Sequence, residues 1–201
     1  KVALITGSTR GIGRNIAEKL AANNYNVVIT GKTKPDIKHV VSEIKEKGNE
    51  ASGFYLDLRD EVNIENVVKK TINKYGKIDV LINNASAMWW FPIEGTPFFK
   101  YDLVNDVNVR GTYLMSQECI PFMSENSHII THSPPITSQY MDIYLNGGIK
   151  DKIAYMNSKL GMSIVASGLA QELANRKIAS NCIWPKTAIE TNAMKDNPLI
   201  P

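Results

Sequence analysis

Apolar positions along the chain follow two spacings. Short apolar runs of strand length occur six times, at residues 2–6, 26–30, 54–57, 80–83, 128–132 and 178–184. Between these runs, apolar side chains recur every three or four residues, which predicts helices from residue 12 onward, over 37–47, over 64–75, and over about 98–123 and 154–174. The pattern therefore predicts a chain in which strands and helices alternate.

Such alternation is typical of an α/β domain with a parallel sheet. Parallel neighbours need crossover connections, and right-handed crossovers cover both faces of the sheet with helices. We therefore predict a Rossmann-type, doubly wound parallel sheet in a single domain that covers residues 1–201. Ligands of this architecture bind at the carboxyl ends of the strands, where this chain collects glycine, asparagine, serine and aspartate.

A glycine-rich turn follows the first predicted strand. Gly7, Gly11 and Gly13 punctuate the sequence T-G-S-T-R-G-I-G, and an amphipathic helix begins at once. Glycine lets the backbone approach an anion closely, and the first turn of a helix offers N–H groups and positive potential. The turn therefore predicts a phosphate cradle for a nucleotide. An ordinary strand-to-helix turn has the same spacing, and the lack of a G-K-[ST] ending argues against an ATP-binding P-loop.

Composition and charge exclude several classes of function. The 201 residues are 43% hydrophobic and 21% charged, with a net charge of +3. So small a charge, without a block of like charges, argues against a nucleic-acid partner and against membrane-surface binding, and no apolar run is long enough for membrane insertion. Cys119 and Cys182 lack metal-type spacing, which favours a reduced, intracellular location. His128 and His132 share a strand face, but no third ligand fits, so no metal site is expected.

A tyrosine and a lysine share one face of the last predicted helix. Tyr155 and Lys159 lie four residues apart in Y-M-N-S-K, so their side chains project about one turn from each other. A nearby ammonium favours phenolate and lowers the pKa of a tyrosine, which suits the tyrosine to proton transfer at neutral pH. A solvated pair without function has the same spacing, so the motif gains weight only beside the others.

Six segments together resemble the short-chain dehydrogenases/reductases. They are T-G-S-T-R-G-I-G at 6–13, D-L-R-D at 57–60, N-N-A-S at 83–86, N-V at 108–109, Y-M-N-S-K at 155–159 and P-K-T-A-I-E-T at 185–191. Further segments are similar to the hydroxysteroid dehydrogenase-like branch of that family: C-I-P at 119–121, S-P-P at 133–135, G-M-S at 161–163 and W-P-K-T-A-I at 184–189. The resemblance extends along nearly the whole chain.

The resemblance implies an NAD(P)-dependent oxidoreductase that interconverts a ketone or aldehyde and an alcohol by hydride transfer. Tyr155 would be the general acid/base, and Lys159 would bind the nicotinamide ribose and lower the tyrosine pKa. Asn108 would hold a water that connects Lys159 to solvent. Ser133 would orient the substrate oxygen, with Ser138 as the second choice.

The family also implies a set of cofactor contacts. Asp57 would bind the adenine amino group, and the backbone near Ile189 would meet the nicotinamide carboxamide. The full set of implied cofactor-binding residues is Gly7, Ser8, Thr9, Arg10, Gly11, Ile12, Gly13, Lys32, Asp57, Asn83, Ala85, Tyr155, Lys159, Pro185 and Ile189. A homodimer or homotetramer is implied as well, as is a location in the cytoplasm, with the peroxisome and the mitochondrion as family alternatives.

The residues after the second strand indicate which dinucleotide is bound. An NAD-selective site places a carboxylate there for the ribose hydroxyls, whereas a 2′-phosphate needs a cation. Here the segment reads T-G-K-T-K, Arg10 lies in the glycine turn, and Asp36 falls beyond the expected place for an acid. NADP(H) is therefore expected in preference to NAD(H), with Arg10 and Lys32 on the 2′-phosphate. The alternative is that Lys32 and Lys34 are solvated loop charges.

Some positions depart from the family pattern. The family's catalytic serine is usually the second of a serine pair after the fifth strand, but here Pro134 follows Ser133. Ser86 and Lys186 stand where glycine is usual. Family members continue through another helix and strand, so a chain ending at residue 201 is expected to lack the C-terminal strand. The proline leaves a second hypothesis open, a dinucleotide-binding sensor or interaction protein without turnover.

An unusually long connection follows the fifth strand, over residues 133–153. Its apolar and aromatic side chains, together with those of residues 88–91, would wall an apolar pocket, which favours an apolar or lipid-like small-molecule substrate. Burial beneath a loop or in a subunit interface fits the same pattern.

Overall fold

A six-stranded parallel sheet forms the centre of the computed structural model, which describes residues 1–186 and residue 189. The strand order is β3-β2-β1-β4-β5-β6. The strands are β1 (Val2–Ile5), β2 (Asn26–Gly31), β3 (Ala51–Tyr55), β4 (Val80–Asn83), β5 (His128–His132) and β6 (Ala179–Ile183). The order reverses between β1 and β4, and the predicted Rossmann-type, doubly wound sheet is confirmed.

Helices cover both faces of this sheet. They are α1 (Gly11–Ala22), α2 (Lys34–Glu46), α3 (Glu61–Tyr75), α4 (Phe98–Asn105), α5 (Gly111–Cys119), α6 (Ser138–Ile143) and α7 (Ile153–Glu172). Among the described residues, no helix is both long and apolar enough to cross a bilayer.

The alternation of side chains along β1 divides the core into two layers. Val2 and Leu4 join a cluster with residues of α3 and α5 on one face of the sheet. Ala3 and Ile5 join a second cluster with residues of α1 and α2 on the other face. All four side chains are buried, so β1 reads as a continuous apolar run because it is covered on both sides.

The third strand begins earlier than the sequence predicts. It covers Ala51–Tyr55 rather than 54–57, because small residues at its start carry little hydrophobic signal. Gly53 is needed there, since a Cβ at this position would lie 2.3 Å from Cγ2 of Ile37 on α2. Leu56 leaves the strand but still donates its N–H to the carbonyl of Gly31, at 2.8 Å.

Two predicted segments are subdivided in the structure. The helical region at 98–123 consists of α4, a π-helical turn at Asp106–Arg110, α5 and a 3₁₀ turn at Ile120–Phe122. The long connection after β5 contains α6, followed by a turn at Tyr144–Gly148 whose backbone leaves the helical conformation at Asn146 and Gly147. Residues 187, 188 and 190–201 lie outside the described residues. The expectation that the C-terminal strand is missing concerns this end of the chain and therefore stays a prediction.

Candidate active site

The glycine turn between β1 and α1 adopts a backbone that only glycine accommodates well. Gly7 and Gly11 have φ of +63° and +57°. A Cβ at Gly13 would lie 2.4 Å from the carbonyl oxygen of Gly7 and 2.4 Å from Nδ2 of Asn84. Arg10, the N-cap residue of α1, makes no side-chain hydrogen bond to the cap, so the first turn keeps N–H groups for an anion. This arrangement fits a dinucleotide pyrophosphate.

Polar contacts fix the turn to the end of β4. Thr6 Oγ1 accepts hydrogen bonds from the backbone N–H groups of Asn84 and Ala85, both at 3.0 Å. Asn84 Nδ2 donates to the carbonyls of Thr6 and Gly7, at 3.0 and 3.1 Å. The role of Asn84 was not predicted, although this residue is the second asparagine of N-N-A-S. Ala85 packs against Gly7, where a Cβ would lie 2.9 Å from Cα of Ala85.

Other residues attach the turn to β2. The Ser8 hydroxyl donates to the carbonyl of Ile5, at 2.8 Å, and accepts from the N–H of Thr30, at 2.9 Å. Thr9 packs on Gly31, where a Cβ would lie 2.9 Å from Cγ2 of Thr9. The side chain of Ser8 is therefore engaged within the protein, and its implied contact with a cofactor stays a prediction.

A charged cluster lies after β2 and β3. Lys32 Nζ lies 2.9 Å from Oδ2 of Asp57. Arg59 approaches the same carboxylate through Nη2, at 2.6 Å, and donates from Nε and from its backbone N–H at 3.0 and 3.1 Å. The Arg59 hydrogen bonds, followed by the Lys32 ion pair, hold the pKa of Asp57 well below its usual range. Arg59 was not predicted, although it belongs to D-L-R-D.

Tyr155 lies in the first turn of α7, beneath an aromatic side chain. Its ring centroid is 6.2 Å from that of Trp90, at an interplanar angle of 59°. Burial raises the pKa of Tyr155 to about 12, while a hydrogen bond with the Ser86 side chain acts in the opposite direction. The expected lowering of this pKa by Lys159 is not what the structure shows.

The position of Lys159 explains that difference. Its side chain is fully buried, at 1% exposure. Nζ donates to the carbonyl of His132 on β5, at 2.5 Å, and lies 3.3 Å from Sδ of Met162. Burial lowers the pKa of Lys159 to about 7, so the ammonium is only partly present at neutral pH. Burial and then the Lys159 charge lower the pKa of His132 to about 4.

The buried lysine predicts a pH dependence of stability. Unfolded Lys159 holds its proton up to its ordinary pKa of 10.5, whereas the folded protein releases it near 7. The unfolded state therefore binds more protons between these values, so the free energy of unfolding should rise with pH from about 7 to 9.

Urea unfolding across this range should show the rise in the native protein and a flatter profile in Lys159→Met. Lys19→Met, an exposed lysine of α1, should keep the native slope; a native slope in Lys159→Met would contradict the assignment.

Asn108 connects the loop after β4 to α7. It lies in the π-helical turn and is fully buried. Nδ2 donates to the carbonyl of Ala87 and to Oγ of Ser158, at 2.9 and 2.8 Å, while Oδ1 accepts from the N–H of Ala87 at 2.7 Å. Ser158 Oγ in turn donates to the carbonyl of Tyr155, at 2.7 Å. Asn108 therefore fixes the tyrosine turn to this loop, and its implied water stays a prediction.

The serines predicted to orient the substrate lie in different surroundings. Ser133 is fully buried, and among the described residues its hydroxyl has no hydrogen-bond partner. Its backbone N–H donates to the carbonyl of Ile183, at 3.1 Å. Ser138 is exposed at the first residue of α6. The Ser86 side chain, in contrast, counters part of the rise in the pKa of Tyr155 that burial causes.

The predicted apolar wall is only partly assembled. Trp90 packs on Tyr155, and Trp89 stacks on Phe91 with 5.8 Å between ring centroids. Lys152 Nζ lies 4.8 Å from the Trp90 ring centroid, which places a cation at the outer side of this wall. In α6 and the turn after it, Tyr144 is buried, but Leu145 is 78% exposed. The connection after β5 therefore contributes some wall residues and leaves others in solvent.

The remaining predicted cofactor residues lie along the same edge of the sheet. Asn83, the last residue of β4, donates from Nδ2 to Oγ of Ser116, at 3.1 Å, and its Oδ1 is buried without a partner among the described residues. Pro185 is half-buried just after β6, and Ile189 is 44% exposed. Among the described residues, no hydrogen bond or ring contact joins Pro185 or Ile189 to Tyr155.

Comparison with known proteins identifies the family. A family model described as short chain dehydrogenase matches residues 1–198. The chain belongs to the short-chain dehydrogenase family. Hydroxysteroid dehydrogenase-like protein 2 of Bos taurus is 41% identical over 199 residues, covering 94% of this chain and 46% of the relative. The human protein of the same name gives the same values. The chain thus spans about half the length of the curated relatives it matches.

Solved structures support the same family. A short chain dehydrogenase from Mycobacterium thermoresistibile has a TM-score of 0.87 and 39% identity, covering 97% of this chain and 70% of that chain. A short chain dehydrogenase from Burkholderia cenocepacia J2315, solved in complex with NADP, has a TM-score of 0.85 and 29% identity, covering 98% of this chain and 76% of that chain. The similarity to the hydroxysteroid dehydrogenase-like branch noted in the sequence is confirmed by the bovine and human relatives.

Proposed function

We propose that this chain is an NADP(H)-dependent oxidoreductase that interconverts a ketone or aldehyde and an alcohol. The observation that carries the proposal is the placement of a half-buried Tyr155 and a buried Lys159 on one helix, at the sheet edge that also holds the glycine turn. A nucleotide phosphate fits the turn, and a proton donor is present at the same edge.

The cofactor would be held by the glycine turn and by the ends of β2, β3 and β4. When bound, it supplies or accepts the hydride, which no side chain of the protein can do. Gly13 and the backbone N–H groups around it would bind the pyrophosphate. Lys159 would bind the nicotinamide ribose, whose oxygens would accept hydrogen bonds from its ammonium and favour its protonated form.

Tyr155 would transfer the proton. In reduction its hydroxyl gives a proton to the substrate carbonyl oxygen as the carbonyl carbon takes the hydride; oxidation of the alcohol reverses both transfers. A pKa of about 12 keeps the phenol protonated at neutral pH, which suits the reduction direction. In the oxidation direction the phenolate would accept the proton, and because the pKa of Tyr155 is about 12, oxidation should require a higher pH.

The cations after β2 and in the glycine turn support NADP(H) over NAD(H). Lys32 Nζ already forms an ion pair with an anion, the carboxylate of Asp57, at 2.9 Å. Arg59 forms an ion pair with the same carboxylate. Arg59 keeps Asp57 partly neutralised, so Lys32 can turn to a 2′-phosphate without leaving the carboxylate unpaired. The NADP bound in the Burkholderia relative agrees with this preference.

Replacement of Lys32 tests the cofactor preference. Lys32→Ala should weaken NADPH binding about tenfold, the worth of one charge-assisted contact, and should leave NADH binding within twofold. Fluorescence titration with both cofactors measures the difference. Lys34→Ala, an exposed lysine two residues further on, is the matched control and should bind both cofactors like the native protein. Equal losses for NADPH and NADH in Lys32→Ala would contradict a role on the 2′-phosphate.

The substrate is proposed to be apolar or lipid-like. Trp90 covers the tyrosine, and the stacked Trp89 and Phe91 extend the apolar surface beside it. A series of straight-chain 2-ketones of increasing length, followed by NADPH absorbance, tests both the activity and this preference. We expect kcat/KM to rise with chain length. Tight NADPH binding without turnover of any ketone or alcohol would favour the dinucleotide sensor, the hypothesis that Pro134 raised.

A further inference from the structure

A buried lysine without an acidic partner lies in the candidate site. The Lys159 side chain is 1% exposed, and in the part of the chain that the structure describes no carboxylate forms an ion pair with its Nζ atom. Removal of an ammonium from water is costly unless other groups replace its hydration. The groups that contact Nζ therefore decide how well this lysine keeps its charge.

Three groups surround the Nζ atom. The carbonyl of His132 accepts a hydrogen bond at 2.5 Å, Sδ of Met162 lies at 3.3 Å, and the ring centroid of Trp184 lies at 5.7 Å. The face of an indole ring carries negative electrostatic potential and attracts a cation within about 6 Å of its centroid. The carbonyl belongs to the main chain and is present with any residue at position 132. Of the three groups, only Met162 and Trp184 therefore depend on the sequence, and a thioether sulfur is a weak acceptor.

The pairing of β6 with β5 places the Trp184 ring. Ile183 is opposite His132 in the parallel register, and the Ser133 N–H donates to the Ile183 carbonyl, at 3.1 Å. Trp184 follows directly, and its ring centroid lies 5.6 Å from that of His132, at an interplanar angle of 54°. One half-buried ring thus packs against the Lys159 ammonium and against the residue whose carbonyl holds that ammonium.

Few titratable groups face this ammonium from the elements that pack on α7. On β5, burial and then the Lys159 charge lower the pKa of His132 to about 4, so its ring is neutral at pH 7. On β6, Cys182 acts against the dominant effect of burial on the pKa of Lys159. One turn earlier on α7, Tyr155 is neutral, with a pKa of about 12. Among the described residues, no charged side chain of α4, of α5 or of the turn at Asp106–Arg110 shifts the pKa of this lysine.

We propose that Trp184 is a positioning residue: its indole face holds the Lys159 ammonium at the His132 carbonyl and helps it to stay charged where no carboxylate of the described residues pairs with it. The inference rests on the proposed oxidoreductase function, in which a charged Lys159 binds the nicotinamide ribose. No bond forms or breaks at Trp184.

An aromatic ring suits this task better than a carboxylate would. An ammonium has three N–H donors, of which His132 and Met162 engage two. A carboxylate would bind the third donor strongly and draw Nζ towards itself. The face of a ring attracts the charge as a whole, so the third donor of Lys159 stays available to a further acceptor.

The titration of Lys159 in the folded protein tests this role without turnover. The difference in unfolding free energy between a protein and its Lys159→Met counterpart, measured by urea unfolding from pH 5 to 9, isolates the contribution of this lysine. In the native chain this difference should begin to rise near pH 7, because burial lowers the pKa of the lysine to about 7. Trp184→Leu should lower that pKa further, so the rise should begin about one pH unit lower. Trp184→Phe, which keeps an aromatic face, should shift the onset by less than half as much.

A conservative replacement and a control keep this test independent of folding defects. Site-specific 5-fluorotryptophan and 5,7-difluorotryptophan at position 184 weaken the negative potential of the ring face and nearly keep its shape, so each added fluorine should lower the onset by a further step. Phe98→Leu, which removes a ring that is 89% exposed on α4, should keep the native onset. An unchanged onset in both fluorinated proteins would overturn the role of Trp184 even in an active enzyme.

Kinetics separate this role from the proposed function. A pKa of Lys159 that moves from about 7 to about 6 reduces the charged fraction about fivefold at pH 7 and no more than about twofold at pH 6. In Trp184→Leu, kcat/KM for NADPH in ketone reduction, which reports the free enzyme, should fall by these two factors. An equal loss at both pH values would make the role merely structural and overturn the proposal. A lowered onset in a protein that binds NADPH but turns over no ketone would retain the contact and refute the oxidoreductase function.

Discussion

Replacement of Tyr155 by phenylalanine should lower kcat for ketone reduction about a thousandfold or more while leaving NADPH binding within twofold. The substitution removes the phenol hydroxyl that is proposed to deliver the proton and keeps the ring that packs against Trp90. Loss of a positioned general acid typically costs 10²- to 10⁴-fold. Stopped-flow and steady-state assays with a 2-ketone, beside fluorescence titration of NADPH, measure the two quantities separately.

The control for this experiment is another tyrosine. Tyr113 is 55% exposed on α5, so Tyr113→Phe should retain native kcat and native NADPH affinity. A Tyr155→Phe enzyme with more than a tenth of the native kcat would show that another group moves the proton. Equal losses in kcat and NADPH affinity would place Tyr155 in cofactor binding rather than in catalysis.

Replacement of Gly13 by alanine should abolish NADPH binding and destabilise the fold. The new methyl group would lie 2.4 Å from both the Gly7 carbonyl oxygen and Nδ2 of Asn84, and neither atom is the end of a long flexible side chain. Overpacking of this kind costs about 1–3 kcal/mol of unfolding free energy. Urea unfolding and NADPH titration should therefore change together.

Gly168 on α7 is the matched control. A Cβ at this position has no neighbour within 4 Å, so Gly168→Ala should keep NADPH binding and should stabilise the helix by up to about 1 kcal/mol. Native NADPH affinity in Gly13→Ala would contradict the close-packed phosphate turn.

The fold could be predicted from the sequence because its strands are covered on both faces. Buried strands such as β1 and β4 give short apolar runs, and α3 is bounded by a capping Asp60 and by Gly76 at φ +77°. The start of β3 could not be predicted in the same way, because Ser52 and Gly53 contribute no hydrophobic signal and the pairing with β2 determines their conformation. Tertiary pairing there overrides local composition.

The shared helix of Tyr155 and Lys159 could be predicted from the sequence, but the electrostatics around the two side chains could not. Tyr155 and Lys159 do lie on one helix, as their spacing predicts. The predicted lowering of the Tyr155 pKa was wrong, because burial raises this pKa. The Lys159 ammonium is held by the carbonyl of His132 on β5, and neither burial nor this contact can be read from the spacing of two residues on a helix. The bracing by Asn84 also depends on a contact between separate strand ends, which no local pattern contains. The ion pair of Arg59 with Asp57, in contrast, lies within D-L-R-D and could have been predicted from that segment.

The most direct test of the account is the fate of a labelled hydride. NADPH carrying deuterium at both C4 positions is incubated with the native protein and 2-decanone, and the alcohol is analysed by mass spectrometry. The account predicts one deuterium on the carbinol carbon of 2-decanol, formed with the native chain and lost in Tyr155→Phe. NADPH that binds tightly but leaves 2-decanone and a wider set of ketones and alcohols unlabelled and unchanged would contradict it.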